Sequence, residues 1–133
     1  MKAECLCGAV KLTAPDVSEV GACHCGMCRR WGGGPFLALH CGTEVSFEGQ
    51  PKIKTYPSSE WAERAFCAEC GTHLYYRLKA TGEYFVPAGL FAEIPNATLR
   101  SQIFIDKKPG YYRFADETEN LTEAEVFAKY APQ

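Results

Sequence analysis

The 133-residue sequence is short of the features that mark a nucleic-acid binder or a membrane protein. It has no basic excess: 14 basic against 16 acidic residues give a net charge of −2. The basic residues fall in scattered pairs, Arg29–Arg30, Lys107–Lys108 and Lys52 with Lys54. This argues against nucleic-acid partners, whose binders gather positive charge on one face. The longest mostly apolar run, Tyr84 to Ala92, is too short to span a bilayer and contains Pro87 and Gly89. "MKAECLCGAV" at the start lacks the apolar stretch of an export signal, so a cytoplasmic protein is expected. There are no repeats, linkers or low-complexity segments, and apolar residues at 47% with charged ones at 23% fit one globular domain, 1–133.

Most of the chain reads as short strands between turn residues, a mainly β pattern. Ala9–Ala14 alternates apolar and polar, and Phe36–His40, Glu44–Gly49, Lys52–Tyr56, His73–Leu78, Tyr84–Gly89 and Ser101–Asp106 are further strand candidates. Ser58–Phe66 has some helical character but leads directly into a cysteine pair, so extended chain is expected there. One short C-terminal helix is predicted, because Thr122 and Glu125 form a capping box ahead of Val126, Phe127 and Tyr130. The acidic stretch Asp116–Glu125 reads as a solvated face whose charge suits a helix N-terminus.

Cysteine is what the chain has in abundance: eight residues. Without an export signal they point to metal rather than disulfides. They fall into Cys5/Cys7, Cys23/Cys25/Cys28, Cys67/Cys70 and a lone Cys41, which is expected to be a buried, inert thiol. Two sulfurs so close in sequence reach one ion only if the chain curls, and Gly8, Gly26 and Gly71 each follow a cysteine where a left-handed turn would do this. Cys5, Cys7, Cys67 and Cys70 can make a four-thiolate structural zinc. Cys23, Cys25 and Cys28 then form a three-thiolate group, the ligand count of a zinc with an exchangeable position. Spacing alone does not force this partition, since Cys41, His24, His40 or His73 can also close the second site. The spacings match neither common iron–sulfur pattern.

Three thiolates leave zinc a weak Lewis acid toward water, yet a thiol that coordinates it is deprotonated at neutral pH. The site therefore suits chemistry on sulfur nucleophiles. Arg29 and Arg30 are candidates to clamp substrate carboxylates, Gly33 and Gly34 to let backbone approach a ligand, and His24 to shuttle a proton. Trp31 and Phe36 read as wall or core.

"CLCGAV", "CHCGMCRRWGGGPF", "SSEWAERAFCAECGTHLYYR" and "IFIDKKPGYY" together resemble the glutathione-dependent formaldehyde-activating enzyme family, from about Glu4 to Tyr112. The resemblance implies a β-tent of small stacked antiparallel sheets organised around zinc. It implies a structural zinc on Cys5, Cys7, Cys67 and Cys70 and an exchangeable zinc on Cys23, Cys25 and Cys28 near a glutathione site. The implied reaction is that of a carbon–sulfur lyase acting on a thiol–aldehyde adduct, S-(hydroxymethyl)glutathione. Two other readings compete: a non-catalytic zinc module whose Tyr75 and Tyr76 stack on bases or a protein, and a stoichiometric scavenger of zinc or aldehyde.

Overall fold

The computed structural model describes residues 1–130. Among these residues, eleven strands form two sheets. Strands β1 (Lys2–Glu4), β2 (Lys11–Thr13) and β5 (Ser46–Glu48) make a three-stranded antiparallel sheet. The other eight are β3 (Glu19–Cys23), β4 (Phe36–Gly42), β6 (Ile53–Tyr56), β7 (Ala62–Cys67), β8 (His73–Leu78), β9 (Tyr84–Pro87), β10 (Thr98–Ile103) and β11 (Glu119–Leu121). They assemble in the order β11-β10-β3-β4-β9-β8-β7-β6. A bridge between Ala3 and Phe91 joins the smaller sheet to the segment after β9.

The mainly β architecture and the C-terminal helix stand as expected, and four details differ. First, β10 runs parallel to both β3 and β11. Parallel neighbours need long connections, and each of these pairs is joined by one, so the antiparallel rule of hairpins does not apply there. Second, β10 begins three residues before the predicted strand and ends at Ile103, because Phe104, with a φ of 54°, turns the chain into a short 3₁₀ segment. Third, β1, β3 and β11 carry little sequence signal. In β3 the alternation is broken by Gly21, where a Cβ would lie 3.0 Å from Ser101 Oγ on β10. The larger of the two sheets, eight strands wide, also exceeds the small sheets expected.

Ser58–Phe66 is not helical: it bends at Ser59–Trp61 and is extended, as expected, only from Ala62 onward in β7. Helix α2 (Glu123–Tyr130) starts with the predicted reciprocal cap: Glu125 N–H donates to Thr122 Oγ1 at 3.2 Å, and Thr122 N–H to Glu125 Oε1 at 2.9 Å. Helix α1 (Gly26–Gly32) is a helix that no periodicity announces. Its seven residues carry a glycine at each end, and its start depends on Cys25, whose sulfur caps the Cys28 N–H.

The core lies between the two sheets, with Val10, Leu12, Leu39, Leu74 and Val86 fully or almost fully buried, and Cys5, Cys41 and Cys67 belong to it. Strand β7 is buried on both faces. Ala65 and Cys67 point into this core, while Arg64 and Phe66 point to the side covered by α1. That double burial places an arginine on one face of a strand and a metal-type cysteine on the other.

Candidate metal centres and a neighbouring cavity

The sulfurs of Cys5, Cys7, Cys67 and Cys70 lie within 4.8 Å of one another. Thiolates on one zinc ion at about 2.3 Å sit roughly 3.8 Å apart. Here Cys5 and Cys7 are separated by 3.6 Å and Cys7 and Cys67 by 3.8 Å, so the four fit a tetrahedral ion. Two knuckles build the set. In the first, Gly8 N–H donates to Cys5 C=O and Val10 N–H to Cys5 Sγ at 3.3 Å. In the second, Gly71 N–H donates to Cys67 C=O at 2.8 Å. Gly8 and Gly71 both adopt φ of +78°, the left-handed turn expected at each. Leu6 N–H donates to Thr72 Oγ1, tying the knuckles together, and Thr72's hydroxyl and N–H hold the Cys70 thiol down to about 5.

Cys23, Cys25 and Cys28 form the second group, again within 4.8 Å. Cys23 ends β3, Cys25 caps α1 and Cys28 lies buried in its first turn. Gly26 does not make the left-handed turn expected of it; it is helical, because here a helix start rather than a turn brings the sulfurs together. No fourth cysteine, histidine or carboxylate among the described residues joins this group. Cys25 is the thiol held lowest, hydrogen-bonded by the Cys23 and Cys28 thiols and then by backbone N–H groups, whereas Cys23 is pushed up by sharing with Cys25 and Cys28 and by burial. Such a set favours one ion that replaces the shared protons. All eight cysteines are free thiols, and Cys41 is buried as expected, its thiol pushed up to about 11 by that burial.

His24 is fully buried. Its Nε2 lies 2.8 Å from Gln102 Oε1 and its Nδ1 2.7 Å from Tyr112 Oη. Gln102 Nε2 donates to Thr118 Oγ1, which assigns the amide oxygen to His24; Nε2–H then donates to Gln102 and Tyr112 O–H donates to Nδ1. Burial holds this imidazole below the usual histidine range, consistent with the neutral tautomer. No nitrogen is left for the proton shuttle expected of His24. The ring instead braces the cysteine loop, and the "KKPGYY" segment that follows β10 supplies the brace.

Arg29 Nε donates to the His24 C=O at 3.0 Å, and Arg30 is exposed on α1. Gly33 is the left-handed C-cap of α1, its N–H bonded to Arg29 C=O, with Gly34 just beyond. None of Arg29, Arg30, Gly33 or Gly34 lines the space beside the thiols. That space is a cavity of about 220 Å³, walled by Trp31, Phe36, Leu37, His73, Tyr75 and Tyr76, with Cys28 and Arg64 in its lining. Tyr75 and Tyr76 are buried and half-buried wall residues, not an exposed stacking platform. A larger open depression of about 420 Å³ lies over Lys108, Tyr111, Tyr112 and Arg113; no cysteine lines it.

Arg64 is the residue that sequence reasoning missed. It is 3% exposed, with Nη2 3.6 Å from Cys28 Sγ, Nε donating to Ser58 Oγ at 3.2 Å, and its guanidinium 5.0 Å from the Tyr76 ring centre. No carboxylate pairs with it among the described residues, so the thiol cluster is its counter-charge. A signal was present: an arginine alternating with alanines into a cysteine knuckle, on a strand with both faces covered. His73 stacks on Trp31 at 4.6 Å and, alone of the three histidines, makes no hydrogen bond among the described residues; His40 pairs with Glu83. Burial, then the nearby Arg64, lowers the pKa of His73.

The profile of the glutathione-dependent formaldehyde-activating enzyme family matches residues 1–107. A Schizosaccharomyces pombe protein named as an uncharacterized lyase is 40% identical over 124 residues, 92% of this chain and 90% of the yeast protein. A crystal structure of a Rhodobacter sphaeroides protein superposes with a TM-score of 0.61 at 24% identity, covering 71% of this chain and 90% of that one, a likeness of fold. No described helix is long and apolar enough to cross a membrane.

Proposed function

Since the chain belongs to the glutathione-dependent formaldehyde-activating enzyme family, we propose that it is a zinc-dependent carbon–sulfur lyase that joins a thiol to an aldehyde and, in reverse, cleaves the adduct. Glutathione and formaldehyde, giving S-(hydroxymethyl)glutathione, are the substrates the family suggests. The observation that carries this reading is the three-sulfur group with no fourth protein ligand among the described residues, opening at Cys28 onto a lined cavity. A zinc ion on Cys23, Cys25 and Cys28 would supply the charge that keeps an incoming thiol deprotonated at neutral pH. Cys5, Cys7, Cys67 and Cys70 would hold a second, structural zinc, and bound rather than oxidised thiols fit a reducing compartment, the cytoplasm.

The chain's own residues divide the remaining work. Arg64 balances the negative thiolate cluster through Cys28. Tyr112 and Gln102 fix His24, and His24 fixes the loop that bears two of the sulfurs. His73 faces the cavity with free ring nitrogens and is the histidine placed to exchange a proton there. The aromatic wall gives that exchange an apolar surround.

Native mass spectrometry of the reduced protein, with and without glutathione, tests the proposal. Two zinc ions are expected, with one glutathione adding to the protein or displacing the more labile ion. Two inert ions and no thiol adduct would remove the basis of the lyase reading and favour a closed, non-catalytic zinc module.

A further inference from the structure

The cavity is the wrong size for formaldehyde alone. Its 220 Å³ is many times the roughly 10–15 Å³ that seats one water molecule, and so well beyond what a two-heavy-atom aldehyde fills. It is also below the roughly 300 Å³ at which pockets for drug-sized ligands begin, so its lined part suits a compact group rather than a whole tripeptide. What fits is one ring with a small substituent. The wall agrees: Trp31, Phe36 and Tyr76 offer flat apolar surface.

One strongly polar group interrupts that wall. Arg64 has five N–H donors; Ser58 takes one and Cys28 another, leaving three without a partner among the described residues. A guanidinium 97% removed from solvent with unused donors, beside the thiol cluster, is built to receive an oxygen. Its positive charge stabilises negative charge that develops on such an oxygen.

We propose that Arg64 receives the carbonyl oxygen of the aldehyde, and that the aromatic cavity seats a ring-sized apolar substituent on it, so that aryl aldehydes are better partners than formaldehyde. This rests on the thiol–aldehyde reading above. In the step, the thiolate sulfur attacks the carbonyl carbon and a C–S bond forms. The C=O π pair moves to oxygen, held by the free Arg64 donors, and that oxygen takes up the proton the thiol released on binding. The thiol's charged remainder stays at the open rim of the cavity, where Leu37 is exposed.

Calorimetric titration of the zinc-loaded protein with benzamide and formamide, unreactive stand-ins for benzaldehyde and formaldehyde, tests this directly. Benzamide is expected to bind saturably, at least ten-fold tighter than formamide, and Arg64→Gln to weaken it at least ten-fold with zinc content and melting retained. If Arg64→Gln does not fold, Leu37→Trp, which narrows the cavity from its exposed rim, must weaken benzamide and leave formamide unmoved. Benzamide binding no tighter than formamide, or indifferent to these changes, overturns the assignment, as does a kcat/KM with glutathione that is higher for formaldehyde than for benzaldehyde. Benzamide binding in a protein that takes up no glutathione supports the cavity assignment while sinking the thiol reading.

Discussion

The two cysteine groups use the same ligand and come to opposite designs. Cys5, Cys7, Cys67 and Cys70 come from two knuckles sixty residues apart in the chain, and two of the four sulfurs belong to the packed core. Cys23, Cys25 and Cys28 come from one strand end and one helix turn, and their group opens onto a cavity. The first brings distant segments together, so the energy of an ion bound there would be folding energy. The second is assembled locally and braced from behind by His24, Tyr112 and Gln102, so the fold around it should not depend on an ion bound there. A site can be exchangeable when the rest of the molecule holds its ligands in place.

The sharpest way to break this contrast is to remove one sulfur from each group. Cys67→Ser should abolish the cooperative unfolding transition seen by circular dichroism, because structural zinc contributes on the order of 10 kcal/mol in small domains. Cys25→Ser should keep that transition, lose one of two zinc ions by mass and reduce lyase activity to background. If Cys25→Ser also unfolds the chain, the second centre is structural and the contrast fails.

Arg64→Lys comes next in size. It keeps the charge near Cys28 but loses the fork of donors, and kcat should fall roughly 100-fold with little change in KM for glutathione. An unchanged kcat would remove Arg64 from the reaction. Tyr112→Phe takes one hydrogen bond from His24 without touching a cysteine. Release of the second zinc to a chromogenic chelator should quicken about ten-fold while the first stays put. Equal acceleration of both ions would mean a general loosening instead.

Arg30→Ala is expected to do least. The side chain is exposed and away from the cavity, so stability should move by no more than about 0.5 kcal/mol and activity by less than about three-fold. A large rise in KM for glutathione would instead restore Arg30 as a clamp for the part of the thiol outside the cavity.

Much of this was legible in the chain. Cysteine spacing grouped the candidate ligands, because metal geometry limits how far apart two ligands on one turn can be, but it did not force their partition into two sets. Gly8 and Gly71 marked their knuckles, since few other residues accept a left-handed angle cheaply. The Thr122/Glu125 box marked α2 through a purely local pair of hydrogen bonds. Helix α1 escaped notice because its start depends on a sulfur cap and its length on tertiary cover, neither of which has a periodicity.

Local chemistry, then, is what the sequence determined by itself: which atoms can bind metal, where the chain turns and where a helix is capped. Each of these follows from residues within about six positions of one another. Tertiary structure alone decided which polar groups face the reacting space. It turned His24 into the core, sent Arg29 to a backbone carbonyl, and carried Arg64 thirty-six residues along the chain to Cys28. The reason is that β7 is covered on both faces, and only strand pairing and the packing of α1 settle which neighbour each face meets.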